Sequence, residues 1–122
     1  MGDSSKLGFD YPDFAVHGAE TVAPAAAAVL ADSGAITKAG NYRWRVTFGT
    51  DDAAQNILQV AHRNAANNAD VEVADMTIGA NSQTKVDALF AMLASERVVV
   101  RNKGVGTAAK TMQVNLYGWL LN

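Results

Sequence analysis

The closing segment, Thr111-Met-Gln-Val-Asn-Leu-Tyr-Gly-Trp-Leu-Leu-Asn122, constrains this chain more than any other stretch. Its β-branched, aromatic and leucine content predicts a strand running to the last residue. Met112, Val114, Leu116, Gly118 and Leu120 then face one way, and Gln113, Asn115, Tyr117, Trp119 and Leu121 the other. A strand in a half-solvated sheet has one apolar face; a strand covered on both sides has two. The first half of this segment alternates and the second half does not. It therefore predicts a central strand of a sandwich whose outer face is covered near the C-terminus by another subunit.

The rest of the chain reads as β structure at regular intervals. Tyr42-Arg-Trp-Arg-Val-Thr-Phe48 alternates most cleanly, with Tyr42, Trp44, Val46 and Phe48 on one face and Arg43, Arg45 and Thr47 on the other. Ala35–Gly40 predicts a short strand before a Gly-Asn turn, and 49–52 a turn. Asn56–Arg63 and Asp70–Ile78 predict strands around the loop 64–69. Residues 85–93 and 97–101 predict a hairpin, and 102–106 a loop. Pro24–Asp32 has proline near its start and Gly34 just beyond its end, a pattern open to a helix or an edge strand, with the strand favoured by its neighbours. Seven or eight short strands with turns every 8–12 residues predict an all-β antiparallel jelly-roll sandwich.

Length and composition narrow the function classes. One domain fits into 122 residues, and much of the 49% hydrophobic content is alanine, which fills a thin core. A net charge of −2 gives no basic field for nucleic acid. The absence of cysteine excludes disulfides, thiolate metal sites and thiol nucleophiles. The start, Met-Gly-Asp-Ser-Ser-Lys, lacks the apolar stretch of a signal peptide, and no apolar run is long enough to span a membrane as a helix. Residues 1–19 read as an arm, broken by glycine and Pro12 yet carrying Leu7, Phe9, Tyr11 and Phe14. Together with Tyr117, Trp119 and Leu121 these are more large apolar groups than a lone sandwich of this size is expected to hide.

Three stretches carry a family resemblance. Ile36-Thr-Lys-Ala-Gly40-Asn-Tyr42-Arg-Trp44, Leu93-Ala-Ser-Glu-Arg97-Val-Val-Val100 and Val114-Asn-Leu-Tyr-Gly118-Trp-Leu-Leu121 resemble, in order and spacing, complement-type globular heads and tumour-necrosis-factor-like jelly rolls across residues 35–122. The segment before them is shorter and richer in alanine than the first strands of those folds. In size, composition and architecture the chain is also similar to phage capsid cement (decoration) proteins, which join neighbouring major capsid subunits. These resemblances imply a jelly-roll domain over 20–122 behind an arm over 1–19. They imply a non-enzymatic structural protein on the outer capsid surface of a virion. Its expected partners are the major capsid protein and copies of itself, as a dimer or trimer. No cofactor, metal, nucleic acid or membrane is expected. In this reading Leu7, Phe9, Tyr11 and Phe14 anchor the arm on a neighbour, Tyr117, Trp119 and Leu121 meet a sister subunit, and Arg43 and Arg45 meet an acidic partner surface. A trimeric receptor-binding head of a tail fibre or spike is the alternative.

Residue patterns for catalysis are sparse. His62 lies on the Leu58/Val60 face of its strand and reads as a half-buried, hydrogen-bonded side chain. Asp10, Asp13 and His17 form a loose acidic cluster in the arm, expected to be solvated. Asp51, Asp52, Asp70, Glu72, Asp75, Asp87 and Glu96 are the carboxylates from which an acid/base pair would come. Glu72 is expected on an outer face, and Asp87 at a comparable position, without the apolar setting that raises a catalytic pKa. No nucleophile elbow, phosphate loop or dinucleotide fingerprint is present, and Asn102–Thr107 precedes a strand rather than a helix.

Overall fold

The computed structural model describes residues 11–18, 21–22, 28–50, 56–78, 83–104 and 111–122. Nine strands run through them: β1 (Phe14–His17), β2 (Thr21–Val22), β3 (Val29–Asp32), β4 (Gly40–Thr50), β5 (Asn56–Arg63), β6 (Asp70–Ile78), β7 (Gln83–Met92), β8 (Arg97–Gly104) and β9 (Thr111–Leu120). They build two antiparallel sheets that face each other, one in the order β1-β9-β4-β7, with β2 also paired to β9, and one in the order β3-β8-β5-β6. This is an antiparallel jelly-roll β-sandwich. Among the described residues no helix is long and apolar enough to cross a membrane.

Most strands follow the alternation, and the exceptions have local causes. β5 and β6 span the expected residues. Residues 35–39 are not a strand: the Ile36 amide donates to Glu96 O at 2.8 Å, and the Ser95 amide donates to Ile36 O at 2.8 Å, so this segment is tied to the β7-β8 turn instead. β8 runs three residues past Arg101, to Gly104, because its partner β5 extends its ladder through Leu58↔Asn102 and Ile57↔Gly104. β9 ends at Leu120, although the Leu121 amide still donates to Asn41 O at 2.8 Å. Within Pro24–Asp32, the described part from Val29 is strand. Phe14–His17, placed by sequence in the arm, forms the edge strand β1, with Phe14 opposite Gly118.

The core is built around Trp44. Its neighbours in register are Ala88 on β7 and Gly118 on β9, two small residues that leave room for the indole. A Cβ on Gly118 would come within 2.3 Å of the Trp44 ring, so no larger residue fits without moving a fully buried side chain. Phe14 closes over the same place, 5.5 Å from the Trp44 ring and 6.0 Å from Tyr42. Tyr42 stacks on Trp44 at 5.7 Å, and its hydroxyl donates to Lys38 O at 2.6 Å. Burial, then the negative charge of Asp13, pushes the Tyr42 hydroxyl pKa above its usual value. Phe14 thus serves this chain's own core, correcting its expected role as an anchor on a neighbour: cross-strand pairing with Gly118 points it inward. Gly18 meets a second close approach, since a Cβ there would lie 2.5 Å from Leu30 O and 2.6 Å from Val114 O, where the two sheets come together.

The opposite sheet holds one buried polar cluster. His62 lies beside Leu58 and Val60 on the expected face and is fully buried rather than half-buried. Its Nε2 lies 2.7 Å from Glu96 Oε1 and its Nδ1 3.1 Å from Glu72 Oε2. Glu72 therefore turns toward His62, opposite which it sits in register, while Val71 and Val73 are left about half exposed. This reverses the face expected for Glu72, although its side chain remains 50% exposed. The β5-β6 register shift between His62 and Arg63 accompanies the reversal. Burial works to raise the Glu96 pKa, but the Leu93 amide, which donates to Oε1 at 2.7 Å, and His62 together hold it below the usual value.

Replacing Gly118 with alanine is expected to lower stability by about 3 kcal/mol, through overpacking against Trp44. Urea unfolding followed by tryptophan fluorescence measures it. A carboxyl with a lowered folded pKa binds fewer protons in the folded state. The contribution of Glu96 is therefore complete above the unfolded value of about 4.3 and is lost as pH falls through the folded value. Glu96→Gln should reduce stability at neutral pH by about 1–3 kcal/mol and make the acid-induced loss shallower in thermal melts.

Candidate functional site

The outward residues of the β1-β9-β4-β7 sheet form rows of paired side chains. Trp119, Arg43 and Leu89 share one row, and Tyr117, Arg45 and Asp87 the next, with Ala15 of β1 beyond Tyr117. Asn115, Thr47 and Lys85 form a third row, beside His17. Alternation in β4, β7 and β9 puts these residues outside because their neighbours fill the core.

The face is an aromatic and arginine surface. The Arg43 guanidinium lies 4.4 Å from the Trp119 ring centroid, and that of Arg45 lies 5.9 Å away, both within cation–π range. Arg45 grips Asp87 as a fork, Nε to Oδ1 at 2.8 Å and Nη2 to Oδ2 at 3.2 Å. That bond, more than burial, which opposes it, holds the Asp87 carboxyl below its usual pKa, with the charges of Arg45, Arg43 and Lys85 adding to it. The same bond raises the pKa of Arg45. Tyr117 sits between Trp119, 6.5 Å away, and the edge of His17, 5.7 Å away. His17 Nδ1 is 3.1 Å from Asn115 Oδ1, and Asn115 donates to Thr47 Oγ1 at 3.1 Å. Arg43 Nε is buried with no hydrogen-bond partner among the described residues.

Four of the expected contact residues, Arg43, Arg45, Tyr117 and Trp119, meet on this face, and Leu121 follows just past the end of β9. Trp119 is only 9% exposed, because Arg43 covers its ring. Leu121 is 43% exposed, and Leu89, which the sequence reading missed, is 69% exposed. Alternation through Lys85, Asp87 and Leu89 was the signal for it. Tyr11 is 95% exposed, Phe14 is partly buried against the core, and Leu7 and Phe9 lie outside the described residues. The face thus combines a rigid aromatic–guanidinium centre with exposed leucines at its edge.

The remaining candidates do not assemble a catalytic or metal site among the described residues. Asp13 Oδ2 accepts from the Leu120 amide at 2.7 Å, and Asp10 lies outside the described residues. Glu72 and Glu96 approach His62 from opposite ring nitrogens, so the three do not converge on an ion, and no other described group of three ligands does so. Asp70 is lowered in pKa chiefly by its hydrogen bond from Arg101, and Asp75 by Lys103 and then Gln59. With Asp87 and Glu96 they are acceptors and ion-pair partners at neutral pH.

No protein-family model matches the chain, and no curated protein matches it. Solved structures share its fold. The globular domain of zebrafish complement 1qA aligns with a TM-score of 0.63 at 10% identity, over 92% of this chain and 98% of that one. The N-terminal cellulose-binding domain of Cellulomonas fimi β-1,4-glucanase C gives 0.56 at 16%, over 94% of both. The PRD1 vertex protein P5 gives 0.53 at 11%, over 91% and 99%. At these identities the likeness is one of fold, and these neighbours are binding or structural domains by name.

Asp87→Asn is expected to cost about 1 kcal/mol or less, since the Arg45–Asp87 pair is partly exposed. Trp119→Ala should cost about 3 kcal/mol, as the loss of a nearly buried aromatic does. Urea titrations of the two variants separate the ion pair from the packing.

Proposed function

We propose that this chain is a structural protein of a virion, a capsid cement or decoration protein, which bridges neighbouring major capsid subunits through the outer face of the β1-β9-β4-β7 sheet. The observation that carries this reading is the juxtaposition of exposed Leu89 and Leu121 with the Trp119–Arg43 stack and the Arg45–Asp87 fork. Aromatic residues and arginine are the side chains that most often dominate protein interfaces, and a polar rim around an apolar patch is their usual surroundings. Self-association as a dimer or trimer uses the same face. The fold likeness to the PRD1 vertex protein supports a virion setting, and the outer capsid surface is where a cement protein would sit.

A second reading, a trimeric receptor-binding head of a tail fibre or spike, is favoured by the likeness to a complement head over nearly the whole of both chains. The two readings differ in what the sheet face touches: shell subunits as well as sister copies in the first, sister heads alone in the second.

The paired substitution Leu89→Asp and Leu121→Asp tests the face without entering the core. Light scattering after size exclusion is expected to show the parent chain as an oligomer and the variant as a monomer, with melting temperatures within a few degrees of each other. A parent chain that is monomeric at the highest soluble concentration, unchanged by the substitutions, would remove the support for an interface here.

A further inference from the structure

The outer face of the β3-β8-β5-β6 sheet carries a groove of about 270 Å³. It is lined by Val29 and Asp32 of β3, Val99 and Arg101 of β8, Arg63 at the end of β5, and Asn67 of the β5-β6 turn. Its volume is near the lower end of ligand sites, roughly 300–1,000 Å³, and suits one sugar-sized group. The lining is mixed in a specific way: two valines offer aliphatic surface, two guanidinium groups lie with their stems mostly buried, and an amide and a carboxylate stand at the sides.

The groove is organised before any ligand arrives. Asp70 Oδ1 accepts from both Arg63 Nη1 and Arg101 Nη2 and holds the two guanidinium groups together. Arg63 also fixes the turn, donating from Nε to Asn67 Oδ1 at 2.8 Å and from Nη2 to Asn67 O at 2.9 Å. Asn67 takes a left-handed φ of 56°, which asparagine tolerates better than most residues. Asn64 Oδ1 accepts the Asn68 amide at 3.0 Å, closing the same turn. Asp32 is held by Arg97 at 3.1 Å and accepts the Gly34 amide at 2.8 Å. Preformed polar groups lose little conformational freedom on binding.

Charge then selects the ligand. Among the described residues Arg63, Arg97 and Arg101 pair with Asp32 and Asp70, so one positive charge is in excess there. Arg63 is occupied by Asn67 and Asp70. Arg101 donates only through Nη2, leaving Nε and Nη1 without a partner among the described residues. Nε and Nη1 lie on different edges of the guanidinium, so each can give a carboxylate oxygen a single charge-assisted bond. We propose that this groove binds a monosaccharide unit bearing a carboxylate, a uronic or sialic acid, with Arg101 receiving the carboxylate. Val29 and Val99 lie against the sugar's C–H face, and Asn67 and Asp32 take its hydroxyls. The groove is on the sheet opposite the proposed interface, so its test does not depend on the oligomeric state.

Amide chemical-shift titration of the full chain tests it, with the methyl glycosides of glucuronate, galacturonate and N-acetylneuraminate as probes and methyl glucoside as the neutral control. Saturable shifts are expected with at least one acid at residues 29–32, 63–67 and 99–101, weakening as salt rises. Arg101→Ala should weaken binding about tenfold or more, the loss of one charge-assisted bond. Asn67→Asp keeps the acceptor for Arg63 and tolerates the turn, yet adds a negative charge, and should weaken binding without loss of fold. The proposal is overturned if no acid gives a saturable shift, if the neutral glycoside binds as well, if Asn67→Asp binds undiminished, or if the shifts map to Tyr117 and Trp119.

Discussion

The packing of Trp44 against Gly118 governs how the rest of this sandwich is arranged. An indole buried at the centre of a five-stranded sheet needs a gap on each neighbouring strand, and Ala88 and Gly118 provide it in register. Because side chains alternate, that register also decides the other face. With Gly118 pointing inward, Tyr117 and Trp119 must point outward, opposite Arg45 and Arg43. A slip of one residue would bury the arginines and expose Trp44. The aromatic–guanidinium face is thus the other side of the core's own packing requirement.

The two sheets treat polarity differently. On the β1-β9-β4-β7 sheet, aromatic rings carry the outer face, and arginines stack on them or fork onto Asp87. On the β3-β8-β5-β6 sheet the outer face is an ion-pair network running through Asp32, Asp70 and Asp75, with a groove in it. Its inner side accommodates His62 only because two glutamates reach the ring, one from the neighbouring edge strand and one from the β7-β8 turn. A buried imidazole without those partners would be costly, which explains why the backbone around Ile36, Leu93 and Ser95 is tied to the same corner.

Much of the architecture was legible from period-two alternation. The central position of the last strand, the inward set Tyr42, Trp44, Val46 and Phe48, and the side of the sheet on which His62 lies all follow from it. Where alternation misled, a contact distant in sequence had intervened. Phe14 lies in a segment rich in turn formers, and only Gly118, more than a hundred residues away, makes it a strand residue with a place in the core. Glu72 sits between two valines and keeps a half-exposed side chain, yet its register with His62 puts it on that residue's side of the sheet, with the valines also half exposed. Leu89 was hidden in a segment whose composition also suits a helix, and its exposure follows from β7 pairing with β4.

By itself the sequence determined the class of structure: an all-β domain without cysteine, with a terminal strand too apolar for a sheet edge and no residue pattern for nucleotide or metal chemistry. Those properties are local, set by the identity and spacing of neighbouring residues. Which residues share a surface was decided only by tertiary structure. The Trp119–Arg43–Leu89 row draws on three strands, and the arginine groove on β3, β5, β8 and a turn. Strand order and register, which bring such positions within a few ångströms, are settled by long-range packing such as that of Trp44 on Gly118. No short stretch of the chain contains that information.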